Sequence, residues 1–344
     1  MTDATVGLVV NSASGHDIRR LVSAATVVDN SDKGAMATRL LAGLRAAGIN
    51  RVLAMPTDLM VVSTMRRLAR QVGLEHGDQF PDIEWLDFTP TFTAADTLRA
   101  IGMMVDAGVG AVCVLGGDGT QRLAAEALGD VPLAAVSTGT NNVFPQWAEP
   151  TTAGIATGLI ATGEVAVADG CVREHVMVLR CADRREAALV DVGVSRQQWV
   201  GARALWHVED LTQVAVTFTD PAAIGLSAVA AAVADAPRGQ EGGVLVRLAP
   251  VDRAEHVVHI PLVPGIVVPV GIADVAPIPF GQTVELDAVP GTLTVDGERE
   301  ISRRAGVPAT VTLRNGPLRI DVSATLGAAS RARRDATRAQ RPLP

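Results

Sequence analysis

"VCVLGGDGTQRLAAEAL", residues 112–128, joins an apolar run to an amphipathic one through two glycines, an aspartate, a third glycine and a threonine. The run that leads into it, 111–115, has the length of a strand, and 120–128 carries the apolar spacing of a helix. Glycines at such a junction let the backbone turn with its amides outward and leave no Cβ to block an approaching phosphate. A helix beginning at Thr120 adds the positive end of its dipole. A carboxylate inside an anion-binding nest repels phosphate, so Asp118 reads as a general base for an attacking hydroxyl or as a metal ligand. Phosphoryl transfer requires positioning, charge neutralisation and a group that orients the nucleophile, and Asp118 suits the last of these.

The segments around this junction repeat its alternation. Residues 6–10, 51–55, 83–86, 111–115 and 132–136 read as strands, with helices expected over 33–47, 58–72, 93–107 and 120–128. Strands separated by helices of 10 to 15 residues indicate a parallel sheet with helical crossovers. After a helix near 151–161 the pattern changes. Strand-like stretches dominate, at 164–172, 176–181, 187–194, 243–248, 257–263, 265–271, 283–286, 292–295, 310–313 and 318–322. Turn signals such as "VPG", "VDGE" and "RNGP" divide many of them, as in an antiparallel sandwich. The fold class expected is an N-terminal parallel-sheet, Rossmann-like α/β domain over 1–150, followed by a mainly antiparallel β-sandwich domain over 151–325. The last strands are expected to return onto the first domain, and the active site to lie in the cleft between the two.

Composition bounds the rest. At 344 residues, with 48% hydrophobic and 19% charged residues, the chain is that of a globular protein of about two domains. No window reaches the roughly 18 apolar residues of a membrane span; the most apolar stretch, 222–234, suits a buried helix. The amino terminus lacks a basic n-region, so no signal peptide is expected. Cys113, Cys171 and Cys181 lie in apolar stretches without metal-ligand spacing and read as free thiols, which points to the cytoplasm. A net charge of −7 argues against nucleic acid as a partner. Residues 326–344, rich in arginine, read as a basic disordered tail. His256 and His259, three apart on a strand, point to opposite faces and make a poor metal pair.

Three further segments bear on chemistry: "NSASG" at 11–15 after the first strand, "STGTNN" at 137–142 after the fifth, and "VDGE" at 295–298. Taken in order with "GGDGT", they resemble the superfamily of NAD kinases and diacylglycerol kinases. The longer stretches "NSASGHDIRRLVSAATVVDNSDK" and "STGTNNVFP" are most similar to the acetoin-catabolism X proteins, an ATP-NAD kinase-like branch, and the likeness runs over most of 5–325.

By that resemblance Gly116, Gly117, Gly119 and Thr120 match the nucleotide-phosphate loop, and Asp118 the general base. Asn11 and Gly15 match the first ATP-side loop, with Ser12 where lipid kinases carry proline. Thr138, Gly139, Thr140, Asn141 and Asn142 form the third loop, with Asn141 where lipid kinases have glycine. Asp191 matches the acidic member of the pair that holds the dinucleotide in NAD kinases, and Val190 replaces its asparagine. Asp296 and Glu298 match the lipid-kinase "DGE", implying a place near the transferred phosphate or its metal.

The function implied is an ATP-dependent kinase, using ATP with Mg²⁺ or another phosphoryl donor, with NAD as the favoured acceptor and NADP as product. Two alternatives stay open: another small-metabolite or lipid hydroxyl as acceptor, and a catalytically silent nucleotide-binding regulator linked to acetoin catabolism. The resemblance also implies a homo-oligomer.

Overall fold

In the first half, five strands with a helix after each of the first four build a parallel sheet: β1 (Thr5–Val10), α1 (Asn30–Ala46), β2 (Arg51–Ala54), α2 (Leu59–His76), β3 (Asp82–Trp85), α3 (Ala94–Asp106), β4 (Ala111–Gly116), α4 (Asp118–Ala127) and β5 (Leu133–Ser137). The computed structural model describes residues 4–13, 28–77, 79–139, 142–197, 208–297 and 299–339. Their order in the sheet is β3-β2-β1-β4-β5. The chain therefore winds one way from β1 to β3 and the other way from β4 to β5. The reversal lies between β1 and β4, where Val10 sits opposite Leu115. In open α/β sheets ligands bind beyond the strand ends at this reversal. The loops that begin at Asn11 and Gly116 meet there.

The helices cover both faces of the sheet, which is why β4 is buried throughout and reads as a continuous apolar run. On one face α1 packs on α5 (Pro150–Ala161) at backbone distance. A Cβ on Gly43 would lie 2.1 Å from the Thr151 carbonyl oxygen, and one on Gly154 the same distance from that of Leu40. Gly154→Ala must push the two helices apart and is expected to cost about 2–3 kcal/mol. Urea unfolding measures the loss, and a variant as stable as wild type contradicts the close crossing.

The second half begins with α6 (Val167–Gly170), β6 (Cys171–Cys181), β7 (Arg184–Ala188), β8 (Asp191–Ser195), β9 (Leu211–Val216), α7 (Ser227–Ala231) and β10 (Gly243–Ala249). It continues through β11 (His256–Val263), β12 (Ile266–Ile278), β13 (Thr283–Leu286), β14 (Gly291–Val295), β15 (Arg299–Arg303), β16 (Ala309–Ile320) and α8 (Val322–Ala339). Seven strands form an antiparallel sheet, β11-β12-β10-β9-β8-β14-β15. The others extend the first sheet: β16 lies parallel to β5, then β6 and β7 follow antiparallel, and β13 pairs with β16. Met177, Leu179, Val192, Leu293, Val311 and Leu313 fill the space between this wing and the antiparallel sheet. The fold is thus a parallel-sheet α/β half followed by a mostly antiparallel β-rich half.

Several elements differ from expectation. The expected strand 164–172 is mostly a turn and the short α6, and the expected helix 222–234 is helical only at Ser227–Ala231. Strands β9 and β15 were not foreseen, and the two last expected strands are one, β16, with a register shift between Asn315 and Leu318. The arginine-rich tail, expected to be disordered, is helical to Ala339. Asp321 accepts the Ala324 N–H at 2.9 Å, a side-chain cap that starts α8. Leu326 and Ala329 then seat on the core beside α5, while Thr325 Oγ1 donates to the Gly170 carbonyl at 2.9 Å. Arginine is itself a good helix former, so charge did not prevent order. Among the described residues no helix is long and apolar enough to cross a membrane.

Candidate functional site

At the reversal of the sheet the first loop leaves β1. Asn11 N–H donates to the Leu115 carbonyl at 3.1 Å, and Asn11 Nδ2 donates to Thr120 Oγ1 at 2.8 Å. This one side chain therefore ties the loop after β1 to the first turn of α4. Ser12 is buried, and its carbonyl accepts from Lys33 Nζ at 2.9 Å. Lys33 is 1% exposed on α1 and also donates to Asn30 Oδ1 at 3.2 Å. Sequence reading did not single Lys33 out, although it stands in the first turn of the helix that follows β1 in the chain.

Gly117 caps α4 and Asp118 is its first residue. N–H groups of a helix's first turn have no partner inside the helix, so they point into the loop region. The glycines are also required by packing. A Cβ on Gly116 would sit 2.6 Å from Thr120 Cβ, and one on Gly117 2.8 Å from Asn142 Oδ1. Asn142 Nδ2 donates to Ser137 Oγ at 2.8 Å, and Ser137 Oγ donates to the Gly139 carbonyl at 2.8 Å. Thr138 beside them is buried. Asn11, Ser12, Gly116, Gly117, Gly119, Thr120, Thr138, Gly139 and Asn142 are thereby gathered at one end of the sheet. Gly15, Thr140, Asn141 and Glu298 lie outside the described residues.

Asp118 is held from the third loop. Phe144 N–H donates to Oδ1 at 2.8 Å, and Val143 N–H is shared between Oδ1 at 3.1 Å and Oδ2 at 3.0 Å. Asp118 is 7% exposed and lines a narrow cleft, open to solvent, between the two halves. The facing wall comes from the second half: Val190, Asp191, Asp296 and Gly297, with Ile224, Leu226, Leu262 and Val263 as its apolar part. Asp118, Asp191 and Asp296 thus share one cleft.

Asp296 and Gly297 form the hairpin turn between β14 and β15, both with positive φ, 50° and 65°. The Asp296 carboxylate folds back and accepts N–H bonds from Leu189 at 3.1 Å, Val190 at 2.8 Å and Asp191 at 3.3 Å. Those amides are drawn out of strand pairing. The expected strand 187–194 accordingly breaks into β7 in one sheet and β8 in the other. Arg122 Nε, one turn along α4 from Asp118, lies 3.8 Å from Asp296, and Arg122 Nη1 lies 3.6 Å from Glu126 and 3.8 Å from Glu186.

Burial pushes the Asp296 carboxyl up to about 6, against the pull of the Val190, Leu189 and Asp191 amides and of Arg122. This folded value stands above the ordinary carboxylate value. The folded protein therefore holds the proton more tightly than the unfolded chain between about pH 4 and 6. The cost of burying the charge is absent below that window and fully present above it, up to about 3 kcal/mol. Asp296→Asn is expected to lack this pH-dependent loss of stability, so that its stability gains on wild type as pH rises, measured by urea unfolding from pH 4.5 to 7.5. A constant difference between wild type and variant across that range contradicts the assignment.

Among the described residues no group of three or more His, Cys, Asp or Glu is placed to hold a metal ion. Protein oxygens here suit a hard cation that arrives with phosphates, which is how Mg²⁺ is commonly held: a carboxylate or two plus the substrate's own oxygens.

The comparisons agree with the fold. The ATP-NAD kinase N-terminal domain model matches residues 6–165, and the acetoin catabolism protein X C-terminal domain model matches residues 174–316. The chain is 39% identical over 333 residues to acetoin catabolism protein X of Cupriavidus necator, spanning 95% of this chain and 92% of that protein. With an ATP-NAD kinase N-terminal domain carrying Asp118 and an acetoin-protein-X C-terminal domain closing the cleft, the chain belongs to the acetoin catabolism protein X family.

Proposed function

We propose that the chain is an ATP-dependent phosphotransferase acting on a hydroxyl, with NAD as acceptor and NADP as product. The observation that carries this reading is Asp118. It sits at the N-terminus of α4, fixed by the Val143 and Phe144 amides, and faces Asp191 across a cleft between the halves.

In this reading the triphosphate of Mg-ATP lies against the loops after β1, β4 and β5, and Mg²⁺ neutralises its charge. Asp118 accepts the proton of the acceptor hydroxyl, the ribose 2′-OH in the case of NAD. The hydroxyl oxygen bonds to the γ-phosphorus as the bond from that phosphorus to the β–γ bridging oxygen breaks, and ADP departs. The Gly116–Gly117 turn admits phosphate close to the backbone. The apolar wall of Ile224, Leu226 and Leu262 excludes water, which would otherwise compete for the phosphoryl group. We further propose cytoplasmic residence, a homo-oligomeric state and the working division of the chain near residue 150.

One observation favours a second acceptor. Val190, buried and lining the cleft, stands where an amide side chain holds the dinucleotide in NAD kinases, and it offers no hydrogen bond. A small polyol or metabolite hydroxyl is the alternative. Mass spectrometry of the products formed from Mg-ATP with NAD, and with a panel of polyols, tests both readings. A phosphoryl group gained by NAD supports the first and one gained only by a polyol the second. ATP left intact with every acceptor contradicts both and returns the chain to a regulatory role.

A further inference from the structure

We propose that Arg238, from the loop between α7 and β10, is a positioning residue that fixes Asp118 through the Val143–Phe144 peptide. The inference rests on the reading of Asp118 as the base. Arg238 Nη2 donates to the Val143 carbonyl at 2.5 Å, and the N–H groups of Val143 and Phe144 both donate to Asp118. The same short segment is therefore gripped on its carbonyl side by a cation from the second half and presents its amides to the carboxylate of the first. Ninety-five residues of chain separate Arg238 from Val143.

The guanidinium is itself held in one orientation. It lies 3.7 Å from the centroid of Phe218 and 5.7 Å from that of Phe144, a ring fully buried in the core. A planar cation between two rings has little freedom to swing. Arg238 Nη1 stands 3.8 Å from Glu174 Oε1, too far for a hydrogen bond, and has no other hydrogen-bond partner. Glu174 is instead bonded to Arg319, whose Nε donates at 2.5 Å. Arg238 is thus secured by stacking and by the Val143 carbonyl, with Glu174 supplying charge from behind. Its side chain is absent from the cleft wall, so it acts on Asp118 through the Val143–Phe144 backbone, with its charge also within reach of that carboxylate.

Placement of a catalytic group matters steeply: a shift of 1 Å costs about 10²-fold in rate. Arg238→Met keeps the bulk against Phe218 and removes the donor. Arg238→Lys restores a cation that reaches the same carbonyl. With Mg-ATP and the acceptor found by the product screen, Arg238→Met is expected to lower kcat 10- to 100-fold with KM for ATP changed less than threefold. Arg238→Lys recovers at least part of the loss.

Hydrogen exchange followed by mass spectrometry gives a readout that needs no turnover. Exchange in the peptide spanning 142–146 is expected to rise at least tenfold in Arg238→Met, with peptides from α1 and β12 unchanged. Wild-type kcat, a KM effect alone, no recovery by lysine, or exchange that is unchanged or faster throughout the chain would each overturn the proposal. Asp118→Asn run beside them separates the two claims. If that variant turns over normally, the base reading fails, and the exchange data alone decide whether Arg238 holds the 143–144 peptide.

Discussion

Asp118→Asn is expected to lower turnover about 10³-fold while leaving the fold and ATP affinity close to wild type. The magnitude is that of removing a positioned general base, 10²- to 10⁴-fold. The substitution preserves shape. The oxygen that remains still accepts from Phe144, while the contact of Val143 with Oδ2 becomes a meeting of two donors. That local loss costs about 1 kcal/mol, too little to unfold the chain. ATP binding is expected to survive because the proposed phosphate site is made by the glycine loops and the first turn of α4, where removing a negative charge can only help. Calorimetric ATP titration and a kcat measurement on the same preparation check both halves of the statement. A variant within tenfold of wild type in kcat means that the hydroxyl proton leaves by another route.

The second large effect is on stability. Glu174→Ala is expected to cost about 3–5 kcal/mol, the usual result of removing one member of a buried ion pair. Glu174 and Arg319 are 1% and 3% exposed, joined at 2.5 Å across the β6–β16 pairing that carries the second half back onto the first sheet. Removal strands the Arg319 guanidinium, still bonded to Gln146 Oε1 at 3.1 Å but with only the more distant Asp321, at 3.9 Å, to pair with its charge among the described residues. Arg238 loses the strongest of its counter-charges in the same step. Urea denaturation measures the loss, and Glu174→Leu combined with Arg319→Met is its control. That pair removes both charges, so it should recover most of the lost stability if the uncompensated cation is the cause. A single variant with wild-type stability contradicts the account of this network.

The parallel half was legible because its signals are local. An apolar run such as 111–115 followed by glycines, then by a capped amphipathic helix, specifies strand, turn and helix without reference to distant residues. Asp118 and the loops at Asn11 and Ser137 could be found for the same reason, since each follows a strand directly. The second half hid what depends on tertiary contact. Residues 187–194 look like one strand by pattern. The break at Leu189 and Val190 is imposed by Asp296, more than a hundred residues on, which takes their amides. Arg238, Glu174 and Arg319 carry no motif, and they matter only because folding places them beside Val143 and one another. The helix α8 was missed because arginine content was read as a sign of disorder, while its apolar residues Leu326 and Ala329 had a place to pack.

The step on which the proposed function turns is transfer of the γ-phosphoryl group of ATP to the ribose 2′-hydroxyl of NAD beside Asp118. The most direct test incubates the wild-type chain and Asp118→Asn with Mg²⁺, γ-labelled ATP and NAD, and follows the label into NADP. Labelled NADP is expected from the wild type and at least a hundredfold less from the variant. Equal labelling by both proteins, or ATP bound by the wild type with no label reaching NAD, would contradict it.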